Sequence, residues 1–162
     1  MRPVFSSITF SVFLVWSCMV LGGGLYEAIA VWPLVAADPP RSLAATNQVL
    51  AVASRAGMFF WSWATPGLGL VALAALLTSF GTLRPYMTWR IASTVLLLIA
   101  VSTTLLYFRP TIVSLVVGHG GGQPDDMIAA QMRRWVMLNW VRILAVSVSI
   151  GMGVRALLLA RS

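Results

Sequence analysis

Two charged residues sit inside otherwise apolar stretches, and they are the residues most suited to chemistry. Glu27 lies near the end of the first apolar run, and Arg142 interrupts the last. A charge within a bilayer is costly, so such residues are paired or functional as a rule. Trp135, Asn139 and Arg142 follow the i, i+4, i+7 spacing that places them on one helix face. A carboxylate could remove a proton from a bound molecule. An arginine and an asparagine could stabilise the anion left behind by charge and hydrogen bond.

The depths of the two charges agree. Measured from Asp38 and Arg134, at about 1.5 Å per residue, both lie roughly 12–17 Å below the outer ends of their helices. This allows a Glu27–Arg142 salt bridge that merely pins two helices, or a cavity in which both act on a polar substrate group. Tyr26 adjoins Glu27. Tyr107 and Arg109 precede Pro110 and reach similar depth if the helix continues past a proline kink to Val117. Phe59, Phe60, Trp61 and Trp63 lie in the outer half of the second apolar run, where Pro66 can open the helix. The candidate catalytic set is Glu27, Arg142 and Asn139. The candidate substrate-binding set is Tyr26, Trp63, Tyr107, Arg109 and Trp135. The alternative for the aromatic residues is an ordinary interfacial belt.

The elements that must position these residues are membrane helices. The chain has 162 residues, 59% of them hydrophobic and 9% charged, with a mean hydropathy of +0.90. Soluble domains run near 45–50% apolar and about 25% charged. Four apolar stretches are long enough to cross a bilayer: 4–36, 55–80, 90–117 and 128–160. Solid runs such as LVALAALL lack the alternation of a membrane β-barrel. The expected fold is all-α, an integral membrane four-helix bundle forming a single domain over 1–162.

Other features narrow the function. All eleven basic residues are arginine, and the net charge is +7. They are scattered, which fits anchoring at the membrane interface rather than nucleic-acid binding. The short basic turn from Arg84 to Arg90 favours termini in the cytoplasm, and the composition suits a bacterial inner membrane. Met1-Arg2 ahead of the first apolar run and Ala28-Ile29-Ala30 resemble a signal peptide with its cleavage site, but the run is longer than a typical h-region. Cys18, the one cysteine, reads as a small buried hydrophobe. With one histidine, His119, in a glycine-rich loop, no metal set and no cofactor is expected. Ser42 is a candidate helix N-cap, and Pro124-Asp125-Asp126 a helix start with the body of the helix from near Met127. Gly22-Gly23-Gly24 and the series Ala145, Ser149, Gly153 and Ser147, Gly151 would let helices approach closely.

Several short motifs occur together in order: Gly24-Leu25-Tyr26-Glu27, Val31-Trp32-Pro33, Tyr107-Phe108-Arg109-Pro110-Thr111, Arg134-Trp135 and Asn139-Trp140-Val141-Arg142. In these the chain resembles the anthrone-oxygenase-like family of small four-helix membrane proteins. The resemblance implies a cofactor-independent oxygenase that removes a proton from a reduced polyketide ring and lets the carbanion react with dioxygen. It implies a hydrophobic aromatic ligand, with Glu27 as base and Arg142 and Asn139 stabilising the enolate. The other expectation is a non-catalytic subunit or scaffold of a larger membrane complex. The bilayer is a partner in either case, and the sequence leaves a homo-oligomer open. Transport is disfavoured, because there is no internal repeat or broken-helix pair of the usual kind.

Overall fold

The computed structural model describes residues 2–44, 51–80, 86–116 and 122–160, all helical but for short connections. His119 and Arg84 lie outside them. Four helical rods are long and apolar enough to cross a membrane: Phe5–Val35, Phe59–Ser79, Tyr86–Leu115 and Asp125–Leu159. They are called the first to fourth spans. Each packs beside the next, and the first also packs on the fourth, which closes a four-membered ring. The all-α membrane bundle expected from the sequence is the fold found. Large apolar side chains such as Phe5, Val15, Leu70, Leu106 and Leu144 point outward. In lipid that outward apolar face is the solvated one, and packing and small residues hold the helices together instead.

The first and third spans share an irregularity. The first is α-helical over Arg2–Tyr26, π-helical over Glu27–Val31 and α-helical again over Trp32–Val35. The third repeats this with an α-helix over Tyr86–Thr103, a π turn over Thr104–Phe108 and an α-helix over Arg109–Val116. Each π turn is followed by one residue and then a proline: Trp32-Pro33 in one, Arg109-Pro110 in the other. A proline has no N–H for the helix ladder and crowds the carbonyl four residues back. A wider turn just ahead of it lets the helix continue. The kink expected at Pro110 is this turn. Pro66 sits inside the unbroken helix Ala51–Ser79.

The core falls into two clusters. One contains Phe10, Phe13, Leu68, Ala72, Leu97 and Val146. The other contains Trp32, Phe108, Leu115, Met132, Trp135 and Ile143. Close approach depends on small residues at particular points. A Cβ on Gly153 would lie 2.4 Å from the Leu14 side chain, and one on Gly67 would lie 2.6 Å from the Trp16 indole. Ser93 donates to the Ser149 carbonyl at 2.7 Å and Ser149 to the Ser93 carbonyl at 2.9 Å, a reciprocal clasp between the third and fourth spans. Gly153 and Ser149 therefore do what their spacing suggests. Gly22 and Gly151 do not, because neither has a neighbour within 4 Å of an added Cβ.

Other expectations change. Cys18 is exposed on the outer surface of the bundle rather than buried, because its neighbour Ser17 takes the inward position. Arg90 is no interfacial anchor. It is buried, donates to the Ser6 carbonyl at 2.7 Å and lies 4.3 Å from the centre of the Phe10 ring. Among the described residues Ser42 bonds backward, not forward as an N-cap. Its hydroxyl donates to the Val35 carbonyl at 2.7 Å and so closes the end of the first span. The fourth helix starts at Asp125, after Pro124, with both acids in its first turn.

Candidate functional site

The polar centre lies where the two core clusters meet, and all four spans contribute to it. The first span brings Glu27, the first residue of its π turn. The second brings Trp61, whose indole N–H donates to the Glu27 carboxylate at 2.5 Å. The third brings Thr104, the first residue of the other π turn. The fourth brings Arg142, whose guanidinium donates to the Thr104 hydroxyl at 3.1 Å. Arg142 also lies 5.2 Å from the centre of the Phe108 ring and 5.9 Å from that of Trp61, within the range at which a cation is attracted to a ring face.

Of the two arrangements that the sequence allows, the direct Glu27–Arg142 salt bridge is not the one found. Glu27 and Arg142 are close enough to act on each other electrostatically. Yet the ion pair found within 4.0 Å among the described residues is Arg41–Asp38, on the exposed surface. Trp61 lies beside both groups: its N–H donates to the acid and its ring centre is 5.9 Å from the guanidinium carbon. Each charge therefore keeps hydrogen-bonding capacity for something else.

Asn139 and Trp135 support this centre from below the same face. Trp135 is buried, donates to the Phe108 carbonyl at 3.0 Å and packs edge-on against Trp32 at 5.4 Å. Asn139 is fully buried and donates to the Trp135 carbonyl at 3.0 Å. Its amide oxygen has no partner. The unpartnered atom is thus an acceptor, suited to a hydroxyl, whereas an enolate needs a donor.

The remaining candidates are not brought together there. Tyr26 is 67% exposed and points away from the bundle. Trp63 is partly exposed and packs edge-on against Trp16 at 5.8 Å and Phe60 at 5.5 Å. Arg109 is exposed. Tyr107 packs on Phe108 but faces a separate outer cleft. Two residues of the centre stand outside the candidate sets: Thr104, and Trp61, which the sequence offers only as one of the outer-half aromatics. The signal for Trp61 was its register: Gly57, Trp61, Thr65 and Leu68 recur at i, i+4, i+8 and i+11, one face of the helix. For Thr104 the signal was its place six residues before Pro110, matching Glu27 before Pro33.

A small cavity of about 30 Å³ adjoins the centre. Trp61, Thr104 and Arg142 line one part, and Val20, Leu68 and Val101 are among the apolar residues that complete it. That volume suits one or two molecules the size of water, or dioxygen. It does not hold a three-ring aromatic, since ligand pockets for drug-sized molecules run to about 300–1,000 Å³. Among the described residues no group of three or more His, Cys, Asp or Glu is placed to hold a metal ion. Compared with known protein families, curated proteins and solved structures, the chain matches none.

Proposed function

We propose that this chain is a small multi-pass oxidoreductase of the bacterial inner membrane, with its termini in the cytoplasm. It acts without a cofactor on a hydrophobic aromatic or quinone-like molecule, as the resemblance to anthrone-oxygenase-like proteins implies. The observation that carries the reading is the separation of Glu27 from Arg142. Each is held by a neutral partner, Trp61 or Thr104, instead of by the other. Helix pinning alone is better served by direct contact, because an unpaired charge in an apolar medium is expensive.

In this reading Glu27 accepts a proton from a ring methylene, and Arg142 faces the enolate oxygen that develops. The carbanion adds to dioxygen, the peroxide anion takes the proton back from Glu27 to give a hydroperoxide, and this loses water to leave the ketone. In sum, a CH2 group and O2 give C=O and H2O. The small apolar cavity beside Arg142 is of a size to admit the dioxygen. The ring system is larger than this cavity, so its entry requires the side chains around the cavity to move. Oxygen uptake with an anthrone as substrate tests the assignment. Glu27→Gln is expected to reduce turnover by about 10²–10⁴, the usual contribution of a general base, with helicity unchanged. Undiminished turnover in that variant removes Glu27 as the base.

The cavity volume favours a second reading, a non-catalytic subunit of a larger membrane complex. There the Glu27–Trp61 and Arg142–Thr104 contacts lock the four helices, and no substrate enters. That reading predicts a stable, stoichiometric association with another protein.

A further inference from the structure

A second cleft opens between the end of the third span and the start of the fourth, with a volume of about 440 Å³. Its polar lining consists of Tyr107, Thr111, Ser114, Gln123, Gln131 and Arg134. Among the described residues that line it there is one formal charge, a guanidinium, and no carboxylate. Among the described residues none of these six side chains makes a hydrogen bond, whereas Thr78, Thr94 and Ser147 bond back to a carbonyl of their own helix. Six hydrogen-bonding side chains, five neutral and one cationic, are left free around one space.

The depth of the cleft identifies its occupant. The fourth helix has 35 residues, about 52 Å at 1.5 Å per residue. A bilayer with its headgroups spans about 40–45 Å, so the first turns of this helix stand in the headgroup layer. Four charged residues fall within its first ten positions, Asp125, Asp126, Arg133 and Arg134, and the mostly apolar stretch, broken by Asn139 and Arg142, begins with Trp135. Gln131 and Arg134 lie within little more than one turn before it, where headgroup meets hydrocarbon and lipid phosphates are found. Thr111 and Ser114 sit in the last two turns of the third span, beside them.

We infer that this cleft binds the phosphodiester of an anionic phospholipid of the phosphatidylglycerol type. Arg134 meets the single negative charge, and arginine suits phosphate oxygens through paired N–H donors. The hydroxyls and amides take the remaining phosphate oxygens and the glycerol hydroxyls. A zwitterionic headgroup fits less well, since no carboxylate lines the cleft to receive its ammonium. This site is independent of the proposed catalysis, and none of its residues takes part in that proposal.

The test uses the full chain in nanodiscs of equal phosphatidylglycerol and phosphatidylcholine, with lipid retention read by native mass spectrometry. The wild type retains one phosphatidylglycerol per chain in preference to phosphatidylcholine. Arg134→Gln lowers that retention by about tenfold, the effect of losing a charged hydrogen bond. The pair Thr111→Val and Ser114→Ala lowers it less. Arg133→Gln, one position round the helix and outside the cleft, leaves it unchanged. Equal loss from Arg133→Gln and Arg134→Gln, or no loss from Arg134→Gln, overturns the site. Lipid-free protein is also heated with millimolar inorganic phosphate. Arg134-dependent protection there, without lipid retention, overturns the lipid and assigns the cleft to a soluble phosphate.

Discussion

At the residue scale, Trp61 decides what Glu27 and Arg142 can do. Its N–H holds the carboxylate and its ring borders the guanidinium, so both charges remain available to a third group. Trp61→Phe keeps most of the ring and removes the donor. The expected result is a loss of activity of about tenfold, from the missing hydrogen bond to a charged group, with the fold retained by circular dichroism. Activity equal to wild type would show that the bond to Glu27 has no part in turnover. The importance of Glu27 and Arg142 is legible in the sequence, because a charge in an apolar run stands out. The choice of Trp61 over Trp63 is harder to read. Two residues along an α-helix turn the side chain by about 200°, so one tryptophan faces the centre and the other packs outward on Trp16. Tyr26 next to Glu27 is displaced round the helix in the same way. Nor does a sequence show that a buried arginine such as Arg90 finds a backbone carbonyl on a distant helix.

At the element scale, two prolines shape the site. Glu27 and Thr104 each open a π turn that ends just before a proline. The extra residue in such a turn shifts everything before it round the helix axis. π turns of this kind are frequent at functional sites. Pro110→Ala restores the missing N–H and allows a regular α-helix. The expected result is that Thr104 rotates off Arg142, with activity down by about tenfold or more for the lost charged hydrogen bond and thermal stability unchanged or raised. Retained activity would show that the turn does not position Thr104. The prolines themselves are plain in the sequence. That they widen the helix instead of merely kinking it is a matter of local hydrogen bonding, which residue type alone does not determine. A second prediction concerns packing. The Trp16 indole is fixed by its bond to the Ala64 carbonyl at 3.1 Å. A methyl group on Gly67 meets that rigid ring, so Gly67→Ala is expected to destabilise by about 1–3 kcal/mol, as overpacking does. Thermal unfolding in detergent measures it, and an unchanged midpoint would contradict the tight Trp16–Gly67 contact.

At the scale of the whole molecule, the four spans enclose the Glu27–Arg142 centre with a cavity of only about 30 Å³ beside it. The number and approximate limits of the spans follow from hydropathy, since bilayer thickness fixes helix length. The closed ring of helices and the small cavity depend on side-chain packing, which hydropathy does not encode. The central claim is that Glu27 and Arg142 are kept apart for a ligand. Native mass spectrometry of the protein released gently from its own membrane tests this most directly. The account predicts an aromatic or quinone-sized molecule on the isolated chain or a homo-oligomer, lost in Arg142→Gln. Stoichiometric attachment to a different protein, with no such molecule bound, would contradict it and leave the two charges as struts between helices.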